Sequence, residues 1–535
     1  MNKRLIAVFT AFALAFGCIC LRLYTLATGG ADMVASGNHS FTVEIGAIRG
    51  DILDRNGEKL VSTDFENIVA AKPTYKALTE LEKVLDSQTC ADLEKRMQKG
   101  NAVSVNIGKL EIEQNSDAVT LKKYNRYSEN QLAQHIIGYL DGEGKGVSGL
   151  EKSFDSLLYT GKSLSASFAT DVYGRILSGT RIEIKNSTFK TASVTLTLDT
   201  QIQQAVENAL DISDVERGGA VVVDIETGAI RAIASRPDFD TQNISDYLDN
   251  TDAPLFDRTL NAYSVGSVFK VAVTAAALEN GINEFYYNCT GSCEVDGVTF
   301  SCNNKTVHGE LNMQKALECS CNTFFIELAS KVGADKILET ASLMGFGQEI
   351  TLADGIVSKS GVLPTSEKLS SSGALANFSF GQGGFTATML QLSTMMSAVA
   401  GEGRYNKPYI IEKVTDADGN TVQSHESQYP VTAIRETTAQ RLTKMLTSVV
   451  ENGNAVKAKL KNGISAAGKT ATAQTGTFLK NGVEKYNTWF AGFFPADNPR
   501  YTVVILKEGG ASGAVDCAPV FKRIADKIID LEKIS

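Results

Sequence analysis

Histidine, tryptophan and proline are scarce in this chain of 535 residues, which holds 4 His, 1 Trp and 9 Pro. Four imidazoles cannot serve a multi-metal protein, and 9 cysteines in such a length exclude a small disulfide-held scaffold. Positive charge is short as well. There are 52 Lys+Arg against 61 Asp+Glu, a formal net charge of −9. Nucleic-acid and anionic-membrane binders need a cationic surface, so no nucleic-acid partner is expected. Repeats and low-complexity tracts are missing, which excludes a solenoid or a disordered chain. A hydrophobic fraction of 43% with 21% charged residues is instead ordinary for a globular protein. At roughly 100–200 residues per domain, the length predicts two to four domains.

One long apolar run occurs, LIAVFTAFALAFGCICL at residues 5–21, with Thr10 its only polar side chain. Lys3 and Arg4 precede it and Arg22 follows, so a helix of about 20 residues would cross a bilayer with its N-terminus in the cytoplasm and the rest of the chain outside. The alternative is a cleaved signal peptide. Ala15-Phe16-Gly17-Cys18 resembles a lipoprotein cleavage site, but Ala15 stands where Leu is wanted.

Two cysteines, Cys18 and Cys20, lie in this run and act there as small apolar residues. Five of the other seven crowd between Cys289 and Cys321. In an extracytoplasmic protein some are open to oxidation, so a bridge is expected among Cys289, Cys293 and Cys302, with Cys319 and Cys321 nearby and the pairing unfixed. Free buried thiols are the alternative. A zinc site with His308 is disfavoured by the lack of two close Cys-x-x-Cys pairs, so no metal is expected.

Residues 41–61, FTVEIGAIRGDILDRNGEKLV, read as short strands closed by an Asn-Gly turn, and residues 65–135 mix short helices and strands. From Thr191 the pattern sharpens. SVTLTLD alternates, TQIQQAVENALD is a helix, and GGAVVVDIETGAIRAIAS is a hairpin. At the far end WFAGFFPADNPRYTVVILKEG supplies two strands and APVFKRIADKIIDLEK a closing helix. Strands at both ends around a helical middle predict an α+β fold, its sheet assembled from both ends.

A Ser three residues before a Lys on a helix sets hydroxyl and ammonium one turn apart, so the amine can deprotonate the hydroxyl. Two copies occur. Ser187 and Lys190 precede a strand and read as structural. Ser267 and Lys270 open SVFKVAVTAAALENG, a helical pattern ending at Gly281 in which Lys270 is the only cation. Burial would lower its pKa toward that of a base working near neutrality. Ser320 and Asn322 flank the start of the helix CNTFFIELASKVG, where either would also serve as a cap. Lys469 and Thr470 lie in ISAAGKTATAQTG, whose small residues suggest an edge strand with room for a peptide.

Together and in this order, Ser267-x-x-Lys270, Ser320-x-Asn322 and Lys469-Thr470 resemble the motif set of the penicillin-binding proteins. RGDILDRNG, GYLDGEGKGVSGLE, YSVGSVFK, ECSCNTFF, FSFGQG and AGKTATAQTG fall in family order over nearly the whole chain. The stretch before the transpeptidase is too short for a glycosyltransferase domain, so the chain resembles the class B, monofunctional members. That implies an anchor at residues 1–27, an extended α+β pedestal at 28–190 and a transpeptidase domain at 191–535. The last would be an antiparallel sheet flanked by helices with an all-helical lobe.

The resemblance implies a serine-type D,D-transpeptidase that cross-links peptidoglycan stem peptides ending in D-Ala-D-Ala and is inhibited by β-lactam antibiotics. Ser267 would be the nucleophile and Lys270 its base. Ser320 would relay protons, and Asn322 would hold the substrate amide. Lys469 and Thr470 would bind the terminal carboxylate, and the N–H groups of Ser267 and Thr472 would form the oxyanion hole. No cofactor is implied, and a membrane glycosyltransferase of the wall-synthesis machinery is the implied partner. A D,D-carboxypeptidase or β-lactamase of the same fold, or a catalytically silent sensor or scaffold, are the competing readings. Ala471 departs from the family's Gly, and its methyl group is expected to narrow the substrate groove.

Overall fold

A computed structural model describes residues 2–28, 39–241, 243–478, 482 and 484–534. A helix spans Asn2–Thr28, and its segment Ile6–Tyr24 is long and apolar enough to cross a membrane. The chain forms two compact units. The first comprises residues 1–49, 62–128 and 159–191, the second residues 50–61, 129–158 and 192–535.

The first unit holds two small antiparallel sheets. In one, Ser40–Arg49 pairs with Tyr159–Ala169, which also pairs with Glu183–Lys185. In the other, Asp64–Ala71 lies between Val103–Asn106 and Ala118–Asn125. Residues 50–61 and 129–158, expected in the pedestal, pack instead with the second unit. Strand Asp51–Leu53 pairs in parallel with Ser193–Leu196, and the Asp54 carboxylate ties the RGDILDRNG segment to the start of helix α1 (Thr200–Ile212). Asp54 Oδ1 accepts from the N–H groups of Asn56 (2.7 Å) and Glu58 (2.9 Å), while Oδ2 accepts from Thr200 Oγ1 (2.9 Å) and Thr200 N (3.1 Å). Burial works against its ionisation, but these donors outweigh it and hold the carboxyl below its ordinary range.

The second unit is built on a five-stranded sheet. In chain order its strands are β1 (Gly218–Asp224), β2 (Ile230–Arg236), β3 (Ala467–Phe478), β4 (Glu484–Phe494) and β5 (Tyr501–Glu508), in spatial order β2-β1-β5-β4-β3. All pairings are antiparallel, with Val221 opposite Val504, Val504 opposite Ala491 and Ala491 opposite Lys469. The runs Val221–Val223 and Val503–Leu506 are buried on both faces, so they read as continuous apolar stretches rather than alternating ones.

Five further helices matter to the site: α2 (Lys270–Glu279), α3 (Asn322–Val332), α4 (Met389–Ala400), α5 (Glu436–Glu451) and α6 (Ala518–Glu532). Helix α4 is buried on every side and lies on the central strands, where Ser393 Oγ and Thr502 Oγ1 are 2.6 Å apart. Helix α6 packs through Phe521, whose ring lies 4.4 Å from that of Phe490. The α+β class and the sheet assembled from both ends of the region are as expected.

Removing the Asp54 carboxylate orphans three backbone N–H groups and a hydroxyl. Asp54→Ala is expected to lower unfolding stability by about 2 kcal/mol, read as a drop in Tm. Because the folded carboxyl lies below its unfolded value, its contribution is present at neutral pH and lost on acidification. The gap between mutant and wild type should therefore close as pH falls below about 4.

Candidate active site

The Ser267-x-x-Lys270 motif forms where a short turn meets a helix. A 3₁₀ turn, Gly266–Phe269, runs directly into α2, so Ser267 sits one turn ahead of Lys270, half-buried. Gly281, expected to end the helix, follows it with φ +80°. Gly266 adopts φ +62° and donates its N–H to Gly381 O at 3.0 Å. A Cβ there would lie 3.1 Å from Ala473 Cβ and 3.4 Å from Ala471 Cβ, so glycine is required on both counts. Gly381, in FSFGQG, is its counterpart. A Cβ on Gly381 would meet Gly266 O at 2.1 Å. Behind the turn Phe269 is clasped by Phe378 and Phe385, with ring centroids 4.6 and 4.5 Å away.

Lys270 is fully buried. Its Nζ donates to Ser320 O and Asn322 Oδ1, both at 2.7 Å, and to Ser320 Oγ at 3.3 Å. Burial pushes its pKa down to about 8, partly offset by the thiol groups of Cys321, Cys302 and Cys319. Lys469, on β3, is equally buried, and its Nζ donates to Ser320 Oγ at 3.0 Å and Thr470 O at 3.0 Å. Burial first, and the Lys270 charge second, hold it well below the ordinary lysine range. Two lysine amino groups thus converge on one hydroxyl oxygen. Ser320 itself lies in the left-handed region at φ +56°, a conformation that its surroundings must impose.

Neither Ser320 nor Asn322 caps α3. That role falls to Cys321, whose Sγ accepts from Phe324 N at 3.4 Å. Asn322 keeps its carboxamide for the site, with Oδ1 on Lys270 and Nδ2 donating to Ser301 O at 3.0 Å, and one N–H remains for a ligand.

Among the described residues, strand β3 has a strand partner on one side only. Successive side chains alternate across it. Lys469, Ala471 and Ala473 face the turn that carries Ser267, while Thr470 and Thr472 face the other way. The Ala471 methyl is accordingly 3% exposed and turned toward Gly266, not into an open groove, which corrects the expectation that it narrows the substrate path. Thr470 is buried, and its hydroxyl donates to Asn454 Oδ1 at 3.0 Å, so it is committed inward. Thr472 is exposed, and its Oγ1 accepts from Gly513 N at 3.4 Å, which leaves the O–H to donate. Asn454, Gly266 and Gly381 carried no role in the sequence reading. Only the last two leave a sequence signal, glycines inside quoted motifs. The other Ser-x-x-Lys pair, Ser187 and Lys190, lies exposed around a turn of the first unit.

The cysteines depart from expectation too. Among the described residues none is bridged, and Cys289 Sγ and Cys302 Sγ stand 3.7 Å apart, well beyond a bond of about 2.05 Å. Cys293 takes no part. Cys321 and His308 complete the group instead, and its four ligand atoms all lie within 4.8 Å of one another.

The penicillin binding protein transpeptidase domain family matches residues 218–526. This chain belongs to that family. Among its relatives, stage V sporulation protein D of Bacillus subtilis is 29% identical over 490 residues, covering 85% of this chain and 73% of that protein. The peptidoglycan D,D-transpeptidase FtsI of Escherichia coli is 28% identical, over 75% of this chain and 66% of that protein. The crystal structure of the D,D-transpeptidase domain of a peptidoglycan glycosyltransferase from Eggerthella lenta aligns with a TM-score of 0.67 at 25% identity, covering 91% of this chain and all of that one. In this domain the turn carrying Ser267 leads directly into buried Lys270, whose amino group meets that of Lys469 at Ser320 Oγ.

Since the Ala471 methyl fills space against Gly266, Ala471→Gly removes packing and loosens the strand. It is expected to cost about 0.5–1 kcal/mol of stability without speeding acylation by penicillin. Parallel melting and stopped-flow acylation measurements check this, and a faster mutant would put the methyl back in the substrate path.

Proposed function

We propose that this protein is a class B, membrane-anchored peptidoglycan D,D-transpeptidase that works through an acyl-enzyme on Ser267, the residue that β-lactams also acylate. The observation that carries the reading is the convergence of Lys270 and Lys469 on Ser320 Oγ, at 3.3 and 3.0 Å. Two buried cations so close cannot both be charged, so at neutral pH the pair holds one proton and titrates as a unit.

A stem peptide ending in D-Ala-D-Ala lies along β3 and brings its terminal carboxylate to Lys469. The carboxylate raises the proton affinity of Lys469, and the Lys270 proton passes through Ser320 Oγ to it. Neutral Lys270 then accepts the Ser267 proton as Oγ attacks the penultimate D-alanyl carbonyl. Backbone N–H groups of Ser267 and Thr472 receive the developing oxyanion, and the free N–H of Asn322 holds the donor amide. The C–N bond breaks, and terminal D-alanine leaves with the proton of Ser320, which is refilled from Lys270. An amine of a neighbouring stem attacks the ester, releases Ser267 and completes the cross-link. The first unit serves as pedestal, and a membrane glycosyltransferase supplies the glycan strands that carry the stems.

Fluorescent-penicillin labelling of the full chain should vanish in Ser267→Ala. In the wild type the second-order acylation rate should fall as pH is raised through about 8, because the pair then loses its last proton and Lys469 can no longer carry charge. Labelling retained in Ser267→Ala refutes the nucleophile, and a rate still climbing above about pH 9 refutes the shared proton.

The helix Asn2–Thr28 acts as the single span, its basic end cytoplasmic. Protease added outside intact spheroplasts should digest the chain beyond residue 39, and protection of that region would overturn the orientation.

A further inference from the structure

The thiol and imidazole groups beside the site come from four separated points of the chain. Cys289 ends the strand Tyr287–Cys289, and Cys302 follows the hairpin Ser292–Val295/Val298–Ser301. His308 precedes the strand Gly309–Leu311, and Cys321 caps α3. Sγ of Cys302 lies 3.7 Å from that of Cys289 and 3.6 Å from that of Cys321, and Cys289 Sγ is 3.3 Å from His308 Nδ1. A tetrahedral ion with metal–sulfur bonds of about 2.3 Å spaces its sulfurs about 3.8 Å apart. Ordinary packing of thiols brings sulfurs as near, but here an imidazole nitrogen also lies within 4.8 Å of all three.

The surroundings suit thiolates. Thr323 Oγ1, fully buried, lies 3.2 Å from Cys289 Sγ, 3.3 Å from Cys321 Sγ and 3.7 Å from Cys302 Sγ. The N–H groups of Gly291 and Phe324 each point at a sulfur from 3.4 Å. Outer donors of this kind orient metal-bound sulfur and offset its charge. All three cysteines are buried and His308 is half-buried, so the set is closed, with no position left for water or substrate.

We propose that Cys289, Cys302, Cys321 and His308 bind one zinc ion in a structural Cys₃His site that clamps the Ser320-Cys321-Asn322 segment. A donor set of three sulfurs and one nitrogen selects zinc among the common divalent ions, and four protein ligands assign it a holding role. The clamp has a specific object. Cys321 lies between Ser320, held at φ +56°, and Asn322, so a bond from its sulfur to the ion fixes both neighbours against Lys270. The spacing of the four ligands along the chain matches no short zinc motif, because the hairpin at residues 292–301 separates the first two.

The test is metal analysis of the full chain, purified in detergent under reducing conditions and incubated with zinc. One zinc per chain is expected in the wild type and in Cys293→Ser, whose sulfur lies outside the set. Occupancy should fall by about tenfold or more in Cys302→Ser and in His308→Ala. Replacement by Co²⁺ should give the visible absorption of a tetrahedral thiolate complex. His308→Ala, half-buried, guards against a variant that fails to fold. A wild type that binds no zinc, a His308→Ala protein that keeps it, or a disulfide among Cys289, Cys302 and Cys321 in the native protein each overturns the site. Ser267→Ala should still bind zinc while losing penicillin labelling, so the failure of either reading is visible without the other.

Discussion

The burial of the Lys270 ammonium is the constraint on which the rest of the molecule depends. An isolated charge taken out of water is prohibitively costly, and it is tolerated only where acceptors replace the lost hydration. Here they are Ser320 O, Asn322 Oδ1 and Ser320 Oγ, all from one short segment ahead of α3. The same three contacts therefore anchor α2 to α3 and fix the distance between the nucleophile turn and the segment that faces it. Ser320 reaches this arrangement only in the left-handed region, so local backbone strain is exchanged for solvation of the charge.

Close packing around the turn supplies the rigidity that this arrangement needs. Gly266 fits tightly against Ala471 and Ala473 on one side and Gly381 on the other, and a Cβ on Gly381 would collide with the Gly266 carbonyl. Phe269 then locks the turn from behind, among Phe346, Phe378 and Phe385. Such a wall transmits displacement rather than absorbing it. Small residues on β3 thus act as spacers that set how near the edge strand comes to Ser267.

Much of this was legible in the sequence because it rests on local patterns. The continuous apolar runs and the helix from Lys270 carry short-range signals and form where expected. What escaped was set by the third dimension. Strand alternation turns Ala471 inward and Thr470 toward Asn454, and nothing near Asn454 in the chain announces that partner. The cysteine spacing suggested a bridge within one hairpin, whereas the fold brings Cys321 and His308 to Cys289 and Cys302 and leaves Cys293 aside. The assignment of residues 50–61 to the second unit depends on a parallel pairing with Ser193–Leu196, and that of residues 129–158 on contacts such as Ala133 N to Glu207 and His135 to Pro254 O, none of which periodicity reveals.

The strand order β2-β1-β5-β4-β3 has a temporal meaning. Strand β1 finds its neighbour on one side at once in β2, but on the other only when Tyr501–Glu508 arrives, after the whole helical lobe has been made. Pairings of such long range form late, since the chain between them must be ordered first. Lys469 also reaches Ser320 through the last-built part of this sheet. The contact between Lys469 and Ser320 is therefore a product of late sheet assembly, while the turn from Gly266 into α2 is built from neighbouring residues.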